Sequence, residues 1–467
     1  MLTVDIWCVI LVVVYNYLSI WYNFLVPNLK RGDYMTTLIK NAIIITMDSG
    51  RVIDKGYVVI DGRKIGEVDA GEYSGTCDNT IDASGKIAMP GLINCHTHSA
   101  MTLFRGYAGG HPLEKWLSDY IFPAEDKLRE PDFAAGNMLA ICEMLASGTT
   151  CFMDMYFGMD TLADAVLSSG IRANMSRCTQ YFKDDENFAD DQRLNEAIQL
   201  YKDYHNAGNG RIRVDMGPHS VYLTNPAYLR RVHEVACEYD LRYHIHISET
   251  LTENETCFKR FGTTPTKLLE SIGVIDERTV AAHCVHLDDE DIDIFVKRGA
   301  YAVHNPASNL KLASGIANTH KYIDRGMKLV IGTDGVSSNN NLDMFSEMYL
   351  ASLLAKGSTL DSQAMPARTV LEAATVRGAE ALGRAGETGV IKPGLAADII
   401  IVNADAPHMI PIHSAEENVM YSAKGSDVSL TMVDGKVLYE KGEFKTIDFE
   451  KVRYEVAQSV GRVMSDV

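Results

Sequence analysis

Eight short apolar segments, separated by stretches of helical spacing, constrain the fold of this chain more than any other feature. The segments are residues 92–98, 149–154, 172–177, 213–218, 242–248, 279–284, 301–304 and 328–333. Helical patterns fall between and after them, at 133–146, 194–205, 227–239, 289–297 and 342–354. Such alternation predicts β/α units and a parallel sheet, because parallel neighbours need a crossover connection. Eight units predict an α/β fold of the (β/α)8 TIM-like barrel type, in which functional residues sit at the C-terminal ends of the strands.

Short β segments with tight turns flank this region on both sides. Tyr57-Val58-Val59-Ile60 runs into Asp61-Gly62, a hairpin signal in which both central turn positions need φ > 0. Thr431-Met432-Val433, Asp434-Gly435 and Lys436-Val437-Leu438 repeat the pattern near the other end. The economical reading is a small β-sandwich domain built from residues 36–88 and 390–446, with the barrel, residues 89–389, inserted between. Residues 447–467 are expected to carry a closing helix.

Residues 6–26 form an apolar, aromatic-rich run interrupted by Asn16, Ser19 and Asn23 and followed by Lys30-Arg31. That length would span a bilayer with its C-terminal side in the cytoplasm. It lacks the positive n-region and cleavage site of a secretory signal. Met35, just ahead of the first globular strand, reads as a natural start. Residues 1–35 are thus either an extension before a misassigned start, the favoured reading, or a membrane anchor. Both leave the chemistry in the cytoplasm.

The net charge of −18 argues against nucleic acid as a partner, since phosphates would be repelled. Nine cysteines with no C-x-x-C spacing point to a reducing compartment rather than a disulfide framework. Cys95 and Cys284 lie beside histidines of interest but are expected to be small buried packing residues. A homo-oligomer stays open.

Polar residues concentrate at the expected C-terminal strand ends. The first strand carries His96-Thr97-His98, and alternation places both imidazoles on one face. His219 follows the fourth strand, His244-Ile245-His246 lies on the fifth with Glu249 just beyond, His283 ends the sixth, His304 the seventh, and Asp334 follows the eighth. The same strands are otherwise Val, Ile, Leu and Ala, so solvated surface is a poor explanation. Imidazoles and one carboxylate suit one divalent metal ion, most readily Zn2+, with Fe2+ or Mn2+ as alternatives. The expected ligands are His96, His98, His246 and Asp334. A divalent ion so held shifts the pKa of water towards ~7. Glu249 follows His246 closely enough to exchange protons with water and substrate. His283 could be a further ligand or a hydrogen-bonding group that orients the nucleophile; the second reading is preferred, since four ligands suffice. His244 is expected to be a hydrogen-bonded core residue, and His304 either joins the site or caps its strand. No nucleophile elbow, Walker A loop or Rossmann glycine fingerprint competes.

The stretches Pro90-Gly91-Leu92-Ile93-Asn94-Cys95-His96-Thr97-His98, His246-Ile247-Ser248-Glu249, Ala282-His283-Cys284-Val285-His286, His304-Asn305-Pro306-Ala307-Ser308-Asn309 and Gly332-Thr333-Asp334-Gly335 resemble the amidohydrolase superfamily. Within it the chain is similar to the 5′-methylthioadenosine/S-adenosylhomocysteine deaminases, from about Leu38 to the C-terminus. The resemblance implies hydrolytic loss of the 6-amino group of an adenosine-type nucleoside, giving the inosyl product and ammonia. It implies Glu249 as the proton carrier between water, ring N1 and the departing amine, with His283 and Asp334 steering the nucleophile. It assigns Glu125 to the ribose diol, Arg177 and Arg193 to a substrate carboxylate, and His219 to the purine. The chemistry is sensible, because a carboxylate accepts from a vicinal diol and guanidinium groups suit carboxylates. The metal motifs are shared with guanine and cytosine deaminases and triazine chlorohydrolases, which form the nearest rival reading. A degenerate, non-catalytic barrel is a rival of another class, which the full ligand set speaks against; a membrane-anchored sensor is a third.

Overall fold

A computed structural model describes residues 35–183 and 185–465 of the chain. The apolar run at 6–26 lies outside the described residues. Among the described residues no helix is long and apolar enough to cross a membrane.

The first β segments form β1 (Thr36–Ile45), β2 (Val52–Asp61), β3 (Lys64–Ala70), β4 (Asn79–Asp82) and β5 (Lys86–Pro90). Eight parallel strands follow: β6 (Leu92–Thr97), β7 (Thr149–Tyr156), β8 (Arg172–Thr179), β9 (Ile212–Pro218), β10 (Tyr243–Ile247), β11 (Thr279–His283), β12 (Tyr301–His304) and β13 (Lys328–Ile331). The chain then returns to the first sheet through β14 (Ile399–Asn403), β15 (Val428–Val433), β16 (Lys436–Glu440) and β17 (Glu443–Phe444).

The two groups at the chain ends become one sheet where β5 pairs antiparallel with β14, Met89 opposite Ile400. Its strand order is β17-β16-β15-β14-β5-β1-β2-β3, with β4 beside β1. Ile44, Ile60 and Ile65 from one end pack with Ile399, Ile401 and Met432 from the other in a single core. Both expected hairpins are present. At the second the turn residues are Asp434 and Gly435, both at positive φ (51° and 71°). At the first, Asp61 pairs with Lys64, so the turn is Gly62-Arg63, one residue later than Asp61-Gly62.

Strands β6 to β13 follow one another in sequence order around the barrel. All eight residues of β7 are buried, as expected for a strand covered on both faces. The seam between β13 and β6 is joined beyond the regular ladder. Asn94 Nδ2 donates to Thr333 Oγ1 at 2.7 Å, Thr333 N–H to Asn94 Oδ1 at 2.9 Å, and Asp334 N–H to His96 O at 2.9 Å. Closure of the barrel therefore brings the first and last strand ends together. Near the C-terminus the chain forms the helix Phe449–Val463.

Arg172, at the start of β8, ties the barrel to the sheet. Its Nε donates to Asp398 Oδ2 at 2.6 Å, and its Nη atoms pair with Asp434 and with Glu387 at 3.2 Å. The guanidinium is 1% exposed, so these partners replace its water. This contact sits at the N-terminal ends of the barrel strands, opposite the functional face, where conserving stability is the expected role of side chains.

Candidate active site

The C-terminal ends of β6, β10, β11 and β13 converge on one point. Asp334 Oδ1 lies 3.3 Å from His96 Nε2 and 3.2 Å from His98 Nε2. His96, His246 and His283 bring one ring nitrogen each within 4.8 Å of the others. The rings face inward because their other nitrogens are occupied. His98 Nδ1 donates to Met155 O at 2.6 Å and His246 Nδ1 to His219 O at 2.8 Å. His96 Nδ1 is 2.8 Å from Nε2 of His244, the core histidine one layer deeper. Backbone acceptors of this kind fix the tautomer that leaves Nε2 free for an ion.

Whether a divalent ion fits can be judged from the polar atoms. His96 Nε2 is fully buried and faces only the Asp334 carboxylate at 3.3 Å, without a well-formed hydrogen bond, which is costly unless something binds there. Asp334 is held so that one oxygen faces the histidines: Oδ2 accepts from Ser308 Oγ at 2.6 Å and Ser338 Oγ at 2.8 Å, while Gly335 N–H donates to Oδ1 at 2.7 Å. Three imidazoles and a carboxylate have the donor set of a divalent-metal centre.

Charge in the cluster is strongly unequal. Burial pushes His96 down to about 4. Burial opposes charge on His98 too, but Asp334 outweighs it and lifts that imidazole to about 9, so an ion would bind its Nε2 by displacing a proton. Burial would raise Asp334, yet the two histidines hold it well below the usual carboxylate range. Burial, then neighbouring His219, keeps His246 neutral.

Glu249 and His283 stand beside the cluster, with Glu249 Oε2 3.7 Å from His283 Nε2. Burial raises the Glu249 pKa, which favours a carboxyl group able to donate as well as accept a proton. His283 Nδ1 donates to Asn309 Oδ1 at 2.9 Å, leaving Nε2 towards Glu249. Several of these residues occupy the left-handed backbone region: Ser248 (φ 51°), His283 (72°), Cys284 (48°) and Asp334 (61°). Each such non-glycine residue costs ~1–3 kcal/mol, a strain typical of functional turns.

A cleft opens onto these groups. Its walls include Glu125, His219, Trp116, Phe157, Gln180 and Tyr222. Glu125 accepts from Tyr156 OH, and burial lifts its pKa to about 7. His219 stacks on His246 with ring centroids 4.5 Å apart. The two arginines are placed differently. Arg177 is bonded through Nε to Glu196 Oε2 at 2.9 Å and lies over the Phe157 ring, and Arg193 donates to Gln180 O at 3.3 Å. Neither lines the cleft, although Phe157, Cys178 and Gln180 beside them do. His304 is buried below the cleft and does not line it.

Glu253 is a buried neighbour of Glu249 that the sequence did not single out. Its Oε2 accepts the backbone N–H of Glu249 at 2.8 Å, and burial raises its pKa to about 8. The Thr250-x-x-Glu253 spacing is the signature of a helix cap, and Thr250 does cap the helix Leu251–Phe261. Reading that spacing would have flagged Glu253. Tyr222 and Gln180 come from irregular segments and Trp116 from the short helix Leu113–Trp116, none with a comparable signal.

Comparison with known proteins agrees with this architecture. The amidohydrolase family profile matches residues 87–438. A 5-methylthioadenosine/S-adenosylhomocysteine deaminase of Dictyoglomus thermophilum is 44% identical over 421 residues, covering 90% of this chain and 97% of its own. A 5′-deoxyadenosine deaminase of Methanosarcina mazei is 43% identical over 431 residues, covering 92% and 99%. Among solved structures, an adenosine deaminase from Xanthomonas campestris with bound zinc superposes with a TM-score of 0.87 at 32% identity, covering 92% of this chain and 98% of that one. The barrel and its strand-end cluster define a hydrolase scaffold. The chain belongs to the amidohydrolase family and is an enzyme.

Proposed function

We propose that the chain is a zinc-dependent aminohydrolase that converts the 6-amino group of an adenosine-type nucleoside to the inosyl product and ammonia. The substrates in view are S-adenosylhomocysteine, 5′-methylthioadenosine, 5′-deoxyadenosine and adenosine. The observation that carries the reading is one cleft lined together by members of the histidine–aspartate cluster, by a buried Glu249 and by Glu125. The names of the similar proteins support the substrate class.

His96, His98, His246 and Asp334 would hold the ion. When bound, it supplies Lewis acidity and makes water acidic enough to yield a nucleophile near neutral pH. Glu249 carries protons, first to ring N1 as C6 is attacked and then to the leaving amine, in the manner of the non-ligand Glu of zinc deaminases. His283, its tautomer set by Asn309, and Asp334 orient the attacking oxygen. His219 hydrogen-bonds the purine, and Glu125 accepts the ribose 2′- and 3′-hydroxyls through its free oxygen. Arg177 and Arg193 stand behind the wall and would serve a substrate carboxylate once Arg177 leaves Glu196. No organic cofactor is required.

The catalytic unit is residues 89–389, supported by the sheet of residues 36–88 and 390–446 and closed by residues 447–467. The spacing of the cysteines, with no C-x-x-C and no disulfide-rich pattern, supports a reducing, cytoplasmic setting. A panel of the four nucleosides with guanine, cytosine and a chlorotriazine tests the assignment. Ammonia release with the adenine-to-hypoxanthine spectral change supports it. Turnover of guanine, cytosine or the triazine alone would move the enzyme to the rival reading.

A further inference from the structure

A second group of metal-ligating side chains lies far from the cleft. His233 and Cys237, four residues apart, share one face of the helix Pro226–Tyr239. Asp276 reaches them from the turn just before β11, at the end of the barrel where strands begin. His233 packs edge-on against Tyr243 of β10, with ring centroids 5.3 Å apart. We propose that His233, Cys237 and Asp276 form a second divalent-cation site, suited to a soft ion such as Zn2+ or Cd2+.

The distances carry this. His233 Nε2 lies 3.1 Å from Asp276 Oδ2 and 3.9 Å from Cys237 Sγ, and one ligand atom of each residue lies within 4.8 Å of the others. A tetrahedral ion with ordinary zinc bond lengths needs separations of roughly 3.3 Å for N···O and roughly 3.6 Å for N···S. A small rotation of the exposed thiol closes the remainder. One thiolate, one imidazole and one carboxylate leave the fourth position to water.

Arg278 is the group that opposes a cation here, its Nη1 lying 3.2 Å from Asp276 Oδ2. It need not be stranded when the ion enters. Glu277 at 3.2 Å and Asp240 at 3.3 Å already share its guanidinium and can keep it. The backbone N–H of Arg278 also holds Asp276 Oδ1 at 2.9 Å, which fixes the carboxylate with Oδ2 towards His233. The thiolate is the metal ligand, so the ion enters by displacing the thiol proton to solvent as the sulfur–metal bond forms.

The probe is Cd2+ added to zinc-loaded enzyme, followed by ultraviolet thiolate-to-metal absorbance and by proton release into weak buffer. The expected result is a band that saturates at one further equivalent with release of one proton, while turnover stays unchanged. Cys237→Ser removes the band, and Asp276→Asn weakens binding by about tenfold or more. Absence of the band in the parent enzyme, or its survival in Cys237→Ser, overturns the site. A band lost in Cys237→Ser but equally strong in Asp276→Asn reduces it to a lone thiol and also overturns it.

Discussion

Asp334 meets His96 twice across the seam of the barrel: its N–H donates to His96 O at 2.9 Å, and its Oδ1 lies 3.3 Å from His96 Nε2. The last strand therefore delivers its carboxylate by the same contact that closes the fold. Gly332 makes this approach possible, since a Cβ there would stand 2.7 Å from His96 N and 3.0 Å from Asn305 Nδ2. Gly332→Ala is expected to widen the seam and lower metal affinity by at least ~10-fold, as shell-disturbing changes do. Metal content after dialysis at graded chelator concentration, alongside the unfolding midpoint, checks this. A folded variant with unchanged metal affinity would contradict it.

Glu249 is expected to be indispensable for proton transfer and dispensable for the ion. Glu249→Gln should lower kcat by ~10²–10⁴-fold, the range for loss of a general acid–base, with metal content retained. Its neighbour Glu253 acts as a positioning residue. Glu253→Gln keeps an acceptor for the Glu249 N–H and should keep most of kcat, whereas Glu253→Leu should lower kcat with KM little changed. Equal losses in both variants would point to charge rather than positioning.

Glu125 gives the substrate complex a pH dependence of predictable sign. Burial lifts its pKa to about 7, and only the ionised form offers both oxygens as acceptors. For diol-bearing nucleosides, kcat/KM should therefore fall as pH drops through about 7. The same limb should be absent with a 2′,3′-dideoxy nucleoside and in Glu125→Ala. Identical acid limbs for both substrates would remove Glu125 from that role.

Glu196 should tune selection at the 5′ position. It neutralises Arg177 at 2.9 Å, so a substrate carboxylate must displace it. Glu196→Gln is expected to raise the ratio of kcat/KM for S-adenosylhomocysteine over 5′-methylthioadenosine several-fold, leaving the latter's own value nearly unchanged. A ratio that stays constant would mean Arg177 does not reach the substrate.

Much of this arrangement was legible in the sequence because the barrel strands are so apolar. Against Val, Ile and Ala, His98, His246 and His283 stand out at one end of their strands, and the eight-fold alternation places those ends together. His244 read as a core histidine, and the structure adds that it turns the ring of His96. The cleft walls were harder. Trp116 ends the four-residue helix Leu113–Trp116 and Tyr222 lies in a turn; the position of both depends on long-range packing, which no local periodicity encodes. Arg177 carried no sign of its ion pair, because its partner Glu196 is nineteen residues away on the far side of an acidic loop. The hairpin at Gly62-Arg63 shifted by one residue because strand pairing, not the Asp-Gly dipeptide, set its register.

The most direct test is isotopic. Zinc-loaded enzyme is incubated with 5′-methylthioadenosine in water enriched in the heavy oxygen isotope, and the product is weighed by mass spectrometry. The account predicts an inosyl product carrying one solvent oxygen at C6 and one ammonia per turnover, with both lost on chelation and restored by zinc. Unchanged nucleoside from fully metallated enzyme, across all four adenosine-type substrates, would contradict it.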